Sequence, residues 1–93
     1  MDNAVTARIT HRRRQVYVHS TLYYRHNTSI ISDATFDRWA YELRDLQRHY
    51  PNESAAAPLA SEFDAWDGTT GYDLPYNEWA ERAAQRLIPQ PLR

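Results

Sequence analysis

The sequence predicts a small all-α fold, and three apolar stripes predict it. Phe36, Trp39, Ala40, Leu43, Leu46, Gln47 and Tyr50 recur at the i, i+3, i+4, i+7 spacing of one helical face. Trp79, Ala80, Ala83, Leu87 and Ile88 repeat that pattern near the end of the chain. Val5, Ile9, Val16, Ser20 and Tyr23 fall at intervals of four, seven, four and three, which also share one face. A chain of 93 residues is read as one domain, spanning 1–93, with a modest core.

The elements follow in order. Residues 4–25 carry a conflict, because "VYVHSTLYY" has the β-branched and aromatic composition of a strand. The helical spacing decides for a helix, with Arg12, Arg13 and Arg14 mostly towards solvent. Residues 26–32, "HNTSIIS", form a short polar connection in which Ser32 is the expected N-cap. In the helix that follows, Asp33 and Asp37 lie in the first turns, where negative charge complements the helix dipole. Arg38 and Glu42 stand at i,i+4 on another face, and Pro51 ends the helix. Residues 52–75, with two prolines and both glycines, read as an irregular aromatic loop. A last helix is expected over 76–88.

Composition excludes several chemistries. With no cysteine there are no disulfides, no thiolate catalysis and no thiolate metal ligands. All 11 basic residues are arginine, so chemistry that needs a lysine amine is also excluded. No apolar run resembles a signal peptide or a membrane span, so the expected location is cytoplasmic, with no membrane partner. The net charge of −1 hides an asymmetry: residues 1–32 hold five Arg and one Asp, residues 33–93 six Arg and eleven acids.

Catalytic signatures such as G-x-S-x-G, H-E-x-x-H or a glycine-rich phosphate loop are absent. The four histidines have no i,i+4 pair, so no metal site is expected. Asp64, Asp67 and Asp73 surround two glycines without the alternation of oxygen ligands that calcium loops use. "HRRR", residues 11–14, offers phosphate contacts, but three adjacent arginines spread around a helix instead of forming a stripe. A solvated or partner-pairing face is the better reading.

"LYYRHNTSIISDATFDRWAYELRDLQRHYP", Leu22 to Pro51, resembles the N-terminal segment of bacterial NAD-dependent DNA ligases, the helical cap called domain Ia. That family has a Tyr followed by His or Tyr, a short linker, Ile-Ser/Pro-Asp-x-x-Tyr-Asp, and a charged helix ending in Tyr/His-Pro. Tyr23 and Tyr24 match the first pair, and "ISDATFD", Ile31 to Asp37, matches the second with unbroken spacing. Phe36 stands where the family has Tyr, keeping a stacking face without the hydroxyl, and Asn27 replaces the usual Asp. In those ligases the cap grips the nicotinamide mononucleotide (NMN) half of NAD. The resemblance therefore implies Tyr23 and Phe36 as an aromatic platform, with Tyr24, Asp33 and Asp37 as polar contacts.

The functional expectation is a non-catalytic binding protein. No cofactor is required, and weak binding of NMN or NAD is the ligand reading. The leading partner reading is a small bacteriophage protein that binds and modulates a host protein, the host NAD-dependent ligase being one candidate. Its expected surface is Arg12, Arg13 and Arg14 with the aromatic set Phe63, Trp66, Tyr72 and Tyr76. The alternative is an NAD- or NMN-binding module acting with a ligase adenylation domain in trans. A further alternative is DNA binding through Arg12–Arg14, although nucleic acid is not the expected partner at this charge balance.

Overall fold

The computed structural model describes residues 2–64, 66, 74 and 77–87. Among these there are four helices and no strand: α1 (Asn3–His26), α2 (Asp33–His49), α3 (Pro51–Ala56) and α4 (Glu78–Leu87). The strand-like composition of residues 16–24 gives way to helix, as the apolar spacing predicts. Val16, Tyr17 and Leu22 find neighbours on α1's packed faces, and tertiary packing overrides local propensity.

Each long helix starts on a side-chain cap. The Asp2 carboxylate accepts from Ala4 N at 2.9 Å and Val5 N at 3.3 Å, opening α1. Ser32 Oγ accepts from Thr35 N at 3.1 Å and opens α2, as expected. Asn77 Oδ1 accepts from Ala80 N at 2.9 Å at the start of α4. Asn27, at φ 50° and ψ 39°, closes α1 in the left-handed region that asparagine tolerates.

Pro51 both stops and starts a helix. It cannot continue α2, but its fixed φ suits the first position of α3. Residues 52–56, expected as the start of an irregular loop, are therefore helical. Turns follow to residue 64, and Leu59 takes a positive φ of 69° there. The remainder of the expected loop falls mostly outside the described residues.

α1 is the central element and packs against each of the other three helices, while α2 also meets α3. The main core joins Ile9, Val16 and Tyr17 of α1 to Leu43 of α2, Phe63 and Ala80. A second, smaller core lies further along α1, where Val18 and Leu22 meet Ala84. The buried positions of α4 are thus Ala80 and Ala84. Trp79 and Leu87, expected to face inwards, are each 43% exposed, although the Trp79 ring still meets the edge of Tyr17 at 6.2 Å. Ile88 lies outside the described residues.

Arg13 corrects the expectation that all three arginines face solvent. It is 1% exposed, and its guanidinium is met on every side. Nε donates to Gln47 Oε1 at 2.8 Å, one terminal nitrogen to the carbonyls of Ala57 and Pro58 at 3.1 and 3.2 Å, and the other to Ser54 Oγ at 2.7 Å. The group lies 5.9 Å over the Phe63 ring. Burial lowers its pKa from the ordinary value, and the nearby Glu62 charge works the other way. Arg13 stitches α1 to α2, α3 and the turn after it.

Arg12 is half-buried for a different reason. Glu42 accepts from Arg12 Nε at 2.6 Å and from Arg8 at 2.7 and 2.9 Å, and Arg12 also lies 5.7 Å over Trp39. Glu42, expected to pair along α2 with Arg38, instead clamps α2 to α1. Burial alone would raise its pKa; the hydrogen bonds and charges of Arg12 and Arg8 outweigh that and hold it below the ordinary range.

Candidate functional site

The connection between α1 and α2 folds so that the last turns of one helix face the first turns of the next. Between them lies a cleft of about 260 Å³. Tyr23, Tyr24, Asp33, Phe36 and Asp37 all line it, together with His19, Ser20, Ser29 and Ile31. Five residues singled out across fifteen positions of sequence thus converge on one concavity.

Burial grades the cleft from rim to wall. Tyr23 is 54% exposed and Tyr24 39%, with their rings edge to face at 4.8 Å and 82°. Asp33 and Asp37 are exposed too, so the rim is aromatic on one side and acidic on the other. Phe36 is half-buried: one part of its surface packs against the core and another lines the cleft. A helix-start residue on the core stripe and a ligand-facing aromatic are therefore the same residue.

Two deeper residues lay outside the sequence expectation as site residues. His19 is half-buried with its ring 5.4 Å from Trp39, and burial pushes its pKa below the ordinary value, favouring a neutral imidazole. Ser20 is completely buried, and its hydroxyl has no hydrogen-bond partner. Such an orphaned group costs about 1–3 kcal/mol. Ser20 had been placed by spacing on α1's apolar face, where a hydroxyl reads as a tolerated small residue. Only the three-dimensional neighbourhood marks it as polar wall.

Of the expected partner-binding residues, Arg13, Phe63 and Trp66 line a second concavity. Arg13 and Phe63 are nevertheless core residues, the latter 2% exposed, so each offers little surface there. Phe63 is held between Tyr17, at 6.0 Å, and Trp66, at 5.1 Å, both edge to face. Trp66 is half-buried against the same core, Arg12 is engaged by Glu42, and Arg14 is exposed. Tyr72 and Tyr76 lie outside the described residues. Among the described residues no group of His, Asp and Glu is arranged to hold a metal ion, and no helix is long and apolar enough to cross a membrane.

A helical pair with a small concave site of two edge-to-face tyrosines, a phenyl face and two carboxylates suits a planar, uncharged or cationic ring with hydroxyl groups near it. The model of the family described as DNA ligase-like, N-terminal NAD+-binding domain matches residues 2–57. The chain belongs to that family. The matched region holds α1, α2, α3 and the whole cleft, whereas α4 lies beyond it. No curated protein and no solved structure matches the chain significantly.

Proposed function

We propose that the domain is a non-catalytic nicotinamide-nucleotide cap, binding NMN or the NMN half of NAD in the α1–α2 cleft. The observation that carries this reading is the convergence of Tyr23, Tyr24, Asp33, Phe36 and Asp37 on one concavity of about 260 Å³. That volume suits a single ring with part of its ribose better than a whole dinucleotide, since pockets for drug-sized ligands run to roughly 300–1,000 Å³. The nicotinamide ring stacks between the Tyr23 and Phe36 faces. In a nucleotide this ring is cationic, so aromatic faces and nearby carboxylates both attract it. Asp33, Asp37 and the Tyr24 hydroxyl take the ribose hydroxyls.

No lysine occurs in the 93 residues, so the lysine that carries AMP in a ligase belongs to another domain. The domain acts by binding, and its protein partner is a ligase adenylation domain. The broad reading as a modulator of an unrelated protein has less support, because its expected surface loses Arg13 and Phe63 to the core.

The test is a titration of the folded domain with NMN, followed by amide and aromatic chemical shifts. Saturable changes at Tyr23, Phe36 and Asp37, weakened about tenfold in Asp37→Ala, are expected for loss of one charge-assisted contact worth about 1.4 kcal/mol. Unchanged spectra at millimolar NMN refute the reading.

A further inference from the structure

The rim residues explain how the cleft attracts a nicotinamide nucleotide, but not which group it accepts at its inner end. There the surroundings change. Ser20 is completely buried, lines the cleft and carries one of the two side-chain atoms, among the described residues, that are buried without a hydrogen-bond partner. His19, its neighbour on α1, lines the same cleft and is held against Trp39. Neither brings a fixed positive charge. The charged side chains on the cleft lining, Asp33 and Asp37, are both acidic.

We infer that Ser20 and His19 form an amide-selective inner wall, which accepts the neutral carboxamide of nicotinamide and rejects the carboxylate of nicotinate. This rests on the nucleotide-cap reading and deepens it. A carboxamide presents a donor and an acceptor together, which a serine hydroxyl and an imidazole can meet in complementary senses. Serine has one side-chain torsion, so a change of rotamer brings the buried hydroxyl to bear on an incoming group. A carboxylate offers acceptors only. It finds no cation on the cleft lining to pair with, and it loses its hydration on entry. A site built around a hydrogen-bonding group discriminates strongly against an analogue that cannot satisfy it.

The experiment measures Kd for NMN and for nicotinic acid mononucleotide, by calorimetry or chemical-shift titration at neutral pH. It compares wild type, Ser20→Ala and Asp37→Ala. Wild type is expected to prefer NMN by about tenfold or more, the factor of one well-made charge or hydrogen-bond term. In Ser20→Ala that preference falls to within about threefold, while the fold is kept and its melting temperature held or raised, because the variant removes a buried hydroxyl that has no partner. Asp37→Ala weakens both nucleotides together and leaves their ratio unchanged. Equal affinities in wild type, or an unchanged ratio in Ser20→Ala, overturn the amide-selective wall while leaving the nucleotide cap standing. Failure of both nucleotides to bind wild type overturns both.

Discussion

Phe36 belongs to two surfaces at once, and most of the site follows from residues of that kind. Helical spacing puts it on the core stripe of α2, while its place in the motif "ISDATFD" puts it on the cleft that Tyr23 also lines. Both readings were legible in the sequence because all the residues involved lie within two short segments. Arg13 was not legible. Three consecutive arginines project about 100° apart and sweep about 200° of a helix, so one of them can turn inwards, and local pattern does not say which. The choice is made by acceptors far along the chain, Gln47, Ser54 and the carbonyls of Ala57 and Pro58. Arg13→Ala should therefore behave as a core mutation, leaving those acceptors, the buried Ala57 carbonyl among them, without their donor at a cost of about 1–3 kcal/mol. Urea denaturation measures this. Arg13→Lys should recover little, since an ammonium cannot span a planar, four-partner site.

Among the elements, α2 was the most legible and α4 the least. α2 announces itself by a serine cap, acidic residues in its first turns and a long apolar stripe ended by proline. Ser32→Ala should cost about 1 kcal/mol, read as a fall in melting temperature, because it releases the Thr35 N–H that the serine caps. The short α3 hid in what read as loop, because six residues are too few to show a helical period. In α4 the large residues misled. Trp79 and Leu87 were expected inwards on size and hydrophobicity, but α4 lies close to α1 through its small residues Ala80 and Ala84, both completely buried. A helix that approaches its neighbour this closely has no room for bulk at the contact. Ala84→Leu should thus destabilise by about 1–3 kcal/mol through overpacking against Val18 and Leu22, despite adding apolar surface. Wild-type stability in that variant would show that α4 stands off from α1. At the far end of the same contact His26 Nε2 lies 2.6 Å from the Glu81 carboxylate, an ion-pair distance without an aligned hydrogen bond.

For the whole molecule, α1 is the spine: the cleft opens between it and α2, and α4 packs along it beyond the region that carries the family's pattern. This spine also sets the response to acid. His19 has its pKa lowered by burial from an ordinary value of 6.5, so below about that pH the unfolded chain takes the proton more readily than the folded one. Stability from this group is present at neutral pH and declines as the pH falls through and below that value. Glu42 is held below its ordinary 4.5 by Arg12 and Arg8, despite its burial, so its contribution is present above that value and is lost as the pH falls further. Both signs agree, and denaturation midpoints should fall steadily from pH 7 to pH 4. A flat or rising profile as the pH falls through 6.5 would contradict the burial of His19, and one as it falls below 4.5 would contradict the Glu42 clamp.

The nucleotide cleft is the central claim, and its most direct measurement is the NMN titration of wild type beside Asp37→Ala, followed at the rings of Tyr23 and Phe36. The geometry predicts saturable shifts at both rings and at the Asp37 amide in wild type, with affinity about tenfold weaker when the carboxylate is removed. No shift at millimolar NMN, or shifts that Asp37→Ala leaves unaltered, would contradict it.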